Sequence, residues 1–196
     1  MVFCKAPIPG QVKTRLMTEL SANEAADIHT QLSLTTLQLA TQSRLCPVQL
    51  WCAPTTEHPF FSAVEQKFAV SLFTQTGADL GQKMYTSFCS ALSDHDRAVI
   101  IGCDCPSLTE RDLDQALLAL SHPKTCVLGP AEDGGYVLIG LNQPHSELFD
   151  SISWGSEHVL EQTRVQVDKL NLHYIELAKH WDVDTPADLL RYRLLG

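Results

Sequence analysis

Short apolar runs alternate along the chain with longer segments in which apolar residues recur every three or four positions. The short runs are typical of buried strands, and the longer spacing is typical of helices that bury one face. This alternation predicts an α/β fold in which helices flank a mostly parallel sheet. The predicted strands are residues 2–4, 48–52, 70–73, 98–101, 126–128, 136–141 and 172–177.

Capping residues mark the predicted helix starts. Ser21 and Thr109 are each followed three positions later by an acid, as in a capping box. The segment Thr185-Pro-Ala-Asp188 combines a cap, a first-turn proline and an acid. A further helix is indicated by apolar residues at every fourth position, and we expect its stripe to lie in the core. These residues are Leu80, Met84, Phe88 and Leu92.

Composition limits the class of protein. The 196 residues are 44% hydrophobic and include no linker or repeat, so we predict a single domain spanning residues 1–196. The net charge of −9 and the pI near 5.2 oppose binding to a polyanion, so nucleic acid is not an expected partner. No apolar stretch is long enough to cross a membrane, and we expect a soluble, cytoplasmic protein.

The seven cysteines stand at irregular spacings. Because their number is odd and several lie inside apolar runs, we interpret them as free thiols of a reducing compartment. Cys103 and Cys105 are the only close pair and have no second pair at a zinc-binding spacing, which gives a metal–thiolate site little support. The eight histidines form no recognisable motif with a nucleophile, which gives a cysteine–histidine hydrolase little support.

Exposure of Trp154, or of Phe60 and Phe61, would favour a homodimer.

A basic loop follows the first predicted strand and runs Lys5-Ala-Pro-Ile-Pro-Gly-Gln-Val-Lys-Thr-Arg-Leu16. Its prolines restrict the backbone, its glycine allows close approach of a ligand, and its three cations can neutralise a polyphosphate. The residue order differs from that of a Walker A loop, which disfavours P-loop ATPase chemistry. The alternative interpretation is a solvated basic turn. The candidate phosphate ligands are Lys5, Gly10, Lys13, Thr14 and Arg15.

Acidic residues follow one predicted strand and precede the last predicted helix. Asp104 lies just beyond residues 98–101, and Asp182 and Asp184 lie shortly before Pro186. Ligands of parallel α/β sheets bind at the carboxyl ends of strands, and Mg²⁺ or Mn²⁺ takes oxygen ligands. Asp104 is therefore a candidate metal ligand, and the pair Asp182 and Asp184 offers a second one. Alternatively, Asp104 is a turn or helix-entry residue, and the two later acids interact only with the helix dipole.

A glycine-rich segment, Gly129-Pro-Ala-Glu-Asp-Gly-Gly-Tyr136, separates two predicted strands. Its Asp-Gly-Gly sequence is equally typical of a hairpin turn and of a loop whose bare backbone a ligand approaches closely. Glu132 or Asp133 could act as a general base toward an acceptor hydroxyl.

Four segments, taken together, resemble a bacterial glycosyltransferase-A-like family of unknown function, DUF2064, related to 2-phospholactate guanylyltransferase. They are residues 5–16, 102–108, 129–136 and 182–189, and the last is also similar to the Asp-x-Asp-Thr-Pro segment of CMP-sugar synthetases. The resemblance implies the nucleotide-diphospho-sugar transferase fold, a three-layer α/β/α arrangement. In that fold the N-terminal half binds a nucleotide with the help of a divalent cation, Mg²⁺ or Mn²⁺.

The same resemblance implies individual roles. Asp104 would be the first acidic metal ligand and Asp184 the second. The phosphate ligands would be Lys5, Gly10, Lys13 and Arg15, and the acceptor side would be lined by Glu132, Asp133, Gly134, Gly135 and Tyr136. The chain departs from the family in its short first strand, residues 2–4, and in Cys103, where relatives commonly have serine.

Three functional hypotheses follow. In the leading one, a small phosphorylated or hydroxyl acceptor attacks the α-phosphorus of a nucleoside triphosphate and pyrophosphate leaves, with Lys13, Asp104 and Asp133 as catalytic residues. The second is glycosyl transfer from a nucleotide-sugar, in which Glu132 or Asp133 activates the acceptor. The third is nucleotide binding without turnover, because the sequence contains no unambiguous acid–base pair.

Overall fold

The computed structural model describes residues 1–195, in which seven strands alternate with six α-helices. The strands are β1 (Val2–Lys5), β2 (Gln49–Ala53), β3 (Ser71–Thr74), β4 (Ala98–Ile101), β5 (Thr125–Pro130), β6 (Tyr136–Leu141) and β7 (His173–Glu176). The helices are α1 (Ala22–Gln42), α2 (Pro59–Phe68), α3 (Leu80–Leu92), α4 (Glu110–Ala119), α5 (Val159–Lys169) and α6 (Pro186–Arg193). Each predicted strand corresponds to an observed one.

The strands follow the order β3-β2-β1-β4-β6-β5-β7. β1 pairs in parallel with β2, β2 with β3, and β5 with β7. β6 alone runs antiparallel to its neighbours β4 and β5, because a tight turn joins it to β5. The prediction of a mostly parallel sheet with flanking helices is therefore confirmed.

The chain forms two compact units. The N-terminal unit comprises Val2–Thr74, Gly102–Leu108 and the chain from Trp181 onward. The central unit comprises Met1, Gln75–Ile101 and Thr109–His180. The assignment of residues 1–196 to a single domain stays a prediction.

An apolar cluster in the N-terminal unit packs two segments that carry predicted site residues against α1. Leu16 belongs to a 3₁₀ turn at Thr14–Thr18, and Val183 lies just before α6. Both side chains are fully buried, against the inner face of α1 and the first turn of α6. The cluster consists of Leu16, Ala25, Leu32, Trp181, Val183 and Leu189. Burial of these residues fixes where the flanking polar residues can lie.

The capping predictions are confirmed for α1, α4 and α6, each of which begins with a complete capping box. The sequence analysis does not predict α2 or α5. The cap of α2 is His58, whose Nδ1 accepts a hydrogen bond from the Phe60 N–H, and α5 has no side-chain cap. Neither start matches the usual serine, threonine, aspartate or asparagine pattern.

The aromatic residues whose exposure would favour a homodimer are not fully exposed. Phe61 is buried, Phe60 is half-buried, and Trp154 is half-buried beside Gly81. The homodimer therefore gains no support from them and stays a prediction. Within residues 1–195 all seven cysteines are free thiols. In the same part of the chain, no helix combines the length and apolar character that crossing a membrane requires.

Candidate functional site

The basic loop leaves β1 through a tight turn. The Gln11 N–H donates to the Ile8 carbonyl at 3.0 Å, and Gly10 has φ +81° at the third position of this turn. Proline followed by a residue of positive φ is typical of a type II turn. A Cβ on Gly10 would have no atom within 4 Å, so the backbone here is open to an approaching ligand.

Lys13 is the buried cation of the loop. Its backbone is left-handed (φ 48°, ψ 39°) and precedes the 3₁₀ turn, which the Leu16 N–H closes on the Lys13 carbonyl at 2.9 Å. The side chain is only 4% exposed, and Nζ lies 2.8 Å from Asp104 Oδ2 and 3.7 Å from Asp184 Oδ1. One ammonium group therefore contacts both predicted metal ligands.

Backbone hydrogen bonds hold the two acidic segments together within the N-terminal unit. The Val183 N–H donates to the Asp104 carbonyl at 3.0 Å. At the start of α6, Asp188 forms the capping box with Thr185 and also accepts from the Asp184 N–H at 3.2 Å. Because Asp188 caps the helix, the carboxylate of Asp184 pairs with cations instead, including Arg15 at 2.8 Å.

The Lys13–Asp104 pair is charged at neutral pH. Burial raises the pKa of Asp104, but the charge and hydrogen bond of Lys13 outweigh it, and the net pKa lies below the usual value. Burial lowers the pKa of Lys13, and the charge and hydrogen bond of Asp104 reverse this effect, so that the pKa lies above its usual value. Each charge thus stabilises the other.

The two carboxylates suit a hard divalent cation. Asp104 and Asp184 present oxygens to a common positive group, and both side chains are partly exposed, at 37% and 42%. Mg²⁺ and Mn²⁺ prefer such oxygen donors and retain water or phosphate in their remaining positions. The donor set therefore fits the cation that the sequence predicts.

The structure brings together Lys13, Arg15, Asp104 and Asp184, which are distant in sequence. Lys5 is the last residue of β1 and Thr14 is the first residue of the 3₁₀ turn, and both side chains are exposed.

The Gly129–Tyr136 segment is the β5–β6 hairpin of the central unit. The Gly135 N–H donates to Asp133 Oδ1 at 2.9 Å, and Gly134 has φ +88°. A Cβ on Gly134 would lie 2.1 Å from the Glu157 carbonyl oxygen, so only glycine fits. Glu132 and Asp133 are exposed, whereas burial of the Tyr136 hydroxyl raises its pKa and keeps it protonated.

Sequence reasoning missed a buried cluster formed by Cys4, His29 and Cys103. Cys4 Sγ lies 3.9 Å from His29 Nε2, and the candidate ligand atoms of all three residues lie within 4.8 Å of one another. A hydrogen bond between the sulfurs raises the pKa of Cys4 and lowers that of Cys103. The three residues share no sequence motif, because they lie on β1, on α1 and just after β4.

Solved structures with this fold carry the names of nucleotide-dependent transferases. A provisionally named nucleotide-diphospho-sugar transferase from Desulfovibrio desulfuricans G20 is 32% identical, with a TM-score of 0.87 over 98% of this chain and 85% of that chain. The inositol-1-phosphate CTP transferase from T. maritima is 12% identical, with a TM-score of 0.62 and coverages of 99% and 94%. Glucosyl-3-phosphoglycerate synthase from Mycobacterium tuberculosis, solved with Mn²⁺ and UDP, is 10% identical, with a TM-score of 0.54 and coverages of 97% and 74%.

The fold is therefore of the glycosyltransferase-A type shared by nucleotidyl and nucleotide-sugar transferases, as the sequence resemblance implies. Residues 36–156 match the family described as "Uncharacterized protein conserved in bacteria (DUF2064)", and the chain belongs to this family. No curated protein sequence matches the chain.

Proposed function

We propose that this protein is a metal-dependent nucleotidyltransferase. It transfers a nucleotidyl group from a nucleoside triphosphate to a small phosphorylated or hydroxyl acceptor and releases pyrophosphate. The observation that carries the proposal is the Lys13 ammonium group between Asp104 and Asp184, at the end of a basic loop. Phosphoryl chemistry depends mainly on positioning and charge neutralisation, and this arrangement supplies both.

The basic loop would bind the triphosphate. The turn at Gly10 exposes backbone, and the Thr14 hydroxyl can donate a hydrogen bond to a phosphate oxygen. Lys5, Lys13 and Arg15 would neutralise the charge that develops on the leaving pyrophosphate. Arg15 is 62% exposed, so it can exchange its contact with Asp184 for one with a phosphate.

Asp104 and Asp184 would hold Mg²⁺ or Mn²⁺. Such an ion, when bound, neutralises phosphate charge and orients the triphosphate. The flexible stem of Lys13 lets its ammonium group turn from the carboxylates to a phosphate oxygen. Lys13 would therefore act as the counter-ion of the acids in the free protein and as a phosphate ligand during turnover.

The β5–β6 hairpin would supply the acceptor ligands Glu132, Asp133, Gly134, Gly135 and Tyr136. Asp133 would act as the general base, and exposed Glu132 is the alternative base. The buried hydroxyl of Tyr136 suits packing rather than proton transfer. These roles are assigned on the resemblance and on the exposure of the two acids.

Ligand-induced thermal shifts test whether the protein binds a nucleoside triphosphate and whether this binding requires a divalent metal. The wild-type protein is heated with each of the four ribonucleoside triphosphates, with and without Mg²⁺ or Mn²⁺. We expect one triphosphate to raise the midpoint only when metal is present. Asp104→Asn should abolish this shift and lower turnover at least about 100-fold, whereas Asp27→Asn, an exposed acid on α1 of the same unit, should retain both.

Three other outcomes would contradict the proposal. A shift with nucleotide-sugars, together with release of a nucleoside diphosphate, would show glycosyl transfer; the fold shared with glucosyl-3-phosphoglycerate synthase favours this second candidate. Binding without pyrophosphate release across a broad acceptor panel would show a nucleotide-binding protein without turnover. Full activity of Asp104→Asn would remove the metal assignment.

A further inference from the structure

We propose that Cys4, His29 and Cys103 form a buried binding site for a thiophilic metal ion, with Zn²⁺ as the expected ion. This site is separate from the carboxylates of Asp104 and Asp184, and the proposal does not depend on nucleotide binding.

The first argument is the ligand set. Two cysteine sulfurs and one imidazole are soft or intermediate donors, which select Zn²⁺ rather than Mg²⁺ or Mn²⁺. All three residues are buried, with exposures of 1% for Cys4, 4% for His29 and 5% for Cys103. Two cysteines and one histidine occur as the protein ligands of zinc sites that keep a fourth coordination position for another ligand.

The second argument is distance. Zn–S and Zn–N bonds of about 2.3 and 2.0 Å give a tetrahedral site with ligand separations of roughly 3.5–3.8 Å. Cys4 Sγ and His29 Nε2 are 3.9 Å apart, and all three ligand atoms lie within 4.8 Å of one another. Small side-chain rotations would therefore close the three atoms around one ion.

Metal binding would change the hydrogen bonds and the protonation of the cluster. His29 Nε2 lies 2.8 Å from the Lys5 carbonyl oxygen and donates its proton to it, so ligation requires the ring proton to move to Nδ1. Two thiols become thiolates, and two protons leave for each Zn²⁺ bound. Cys4 Sγ donates a hydrogen bond to the buried Ser33 Oγ at 3.4 Å, and loss of the thiol proton on metal binding would break this bond.

A bound ion would link three segments of the N-terminal unit. Cys4 belongs to β1, His29 to α1, and Cys103 immediately precedes Asp104. Coordination would thus hold the backbone next to Asp104 in place.

Cobalt spectroscopy provides the test. Co²⁺ is titrated into the metal-free, reduced full-length protein, and thiolate-to-cobalt charge transfer is measured in the near ultraviolet. We expect a band that saturates at one ion per chain and disappears when Zn²⁺ is added. Cys4→Ser and Cys103→Ser should lose the band and bind Zn²⁺ at least about 100-fold more weakly. Cys126→Ser, which removes a buried thiol of the central unit, should retain it.

Two further measurements separate this site from the carboxylates. The double variant Asp104→Asn/Asp184→Asn should keep the cobalt band. X-ray absorption at the zinc edge of the wild-type protein, which needs no variant to fold, should show two sulfur neighbours. A shell of oxygen and nitrogen alone, a band retained in Cys4→Ser or Cys103→Ser, or the absence of any band would overturn the proposal.

Discussion

The basic loop of the N-terminal unit and the β5–β6 hairpin of the central unit hold their candidate residues by different means. In the basic loop, Lys13 is held by opposite charges, at 2.8 Å from Asp104 and 3.7 Å from Asp184. In the hairpin, the backbone is held by hydrogen bonds, including the one that the Leu160 N–H donates to the Gly134 carbonyl at 2.9 Å, and the packing is so close that any side chain on Gly134 would overlap the Glu157 carbonyl.

Ion pairs respond to pH, salt and ligands, because each charge can be neutralised or can exchange one partner for another. A steric constraint does not respond to these conditions, and a substitution either fits or displaces the backbone. The basic loop is therefore suited to bind and release charged ligands, and the hairpin to keep one shape.

The largest effect is expected from Gly134→Ala. The new Cβ would meet the Glu157 carbonyl oxygen at 2.1 Å, in a backbone of φ +88°. We expect a loss of about 3 kcal/mol or more in the free energy of unfolding, measured by urea denaturation. Gly10→Ala is the matched control, because φ is +81° there but no atom lies within 4 Å, and it should lose only about 1 kcal/mol. Equal losses of stability in the two variants would show that steric overlap does not determine the effect at Gly134.

Lys13→Met should have the next largest effect. The substitution leaves two carboxylates without their shared cation, and we expect the metal-free protein to lose about 2 kcal/mol at neutral pH. Addition of Mg²⁺ should restore part of the loss if the two acids bind it. Thermal unfolding with and without a chelator measures both effects. Lys5→Met, at an exposed position of the same loop, should change the stability little, and a similar loss there would contradict the assignment.

A change in pH is expected to alter the free energy of unfolding less than either of these two substitutions. Because the pKa of Asp104 is lowered by folding, its contribution to stability is present above about pH 4 and is lost as the pH falls through the folded-state pKa. The raised pKa of Lys13 gives a contribution present below about pH 10 and lost as the pH rises through its folded-state pKa.

The stability difference between the wild type and Asp104→Asn should therefore shrink on acidification below about pH 4. We expect a change of about 1 kcal/mol, since the carboxylate is 37% exposed and solvent screens the pair. Urea midpoints measured as a function of pH test this, with Asp27→Asn as the control. A difference that is constant with pH would mean that the ion pair does not contribute.

The smallest change in stability is expected for Arg15→Gln. Its pair with Asp184 is exposed on both sides, at 62% and 42%, so we expect less than about 0.5 kcal/mol. Affinity for the triphosphate should nevertheless fall several-fold, and the loss should be greater at low salt. Calorimetry at two salt concentrations measures it, and Arg111→Gln on α4 is the control. An unchanged affinity would exclude Arg15 from the phosphate site.

Local signals in the sequence were sufficient for most of the elements. Each strand corresponds to a short apolar run, and each capping box predicted from the sequence is formed. The starts of α2 and α5 were missed, because a histidine caps one of them and no side chain caps the other. The segment around Gly134 is a hairpin turn, because β5 pairs with β6, and its role as a ligand-binding loop stays a prediction.

The candidate site was only partly predictable. Its residue types follow from the sequence, since three cations in one loop and acids after apolar segments suit phosphate and metal chemistry. The capping role of Asp188 follows from its spacing to Thr185, but the pairing of Asp184 with Lys13 and Arg15 does not, because those cations lie 169 or more residues away in the sequence.

Local sequence patterns account for the alternation of strands and helices, the helix caps and the chemical character of the loops, because all of these depend on neighbours within a few positions. Which distant groups meet depends on long-range packing. Burial of Leu16 and Val183 in one core brings Lys13 to the carboxylates, and packing of α1 against β1 brings His29 to Cys4. Such contacts depend on long-range packing, which no local pattern records.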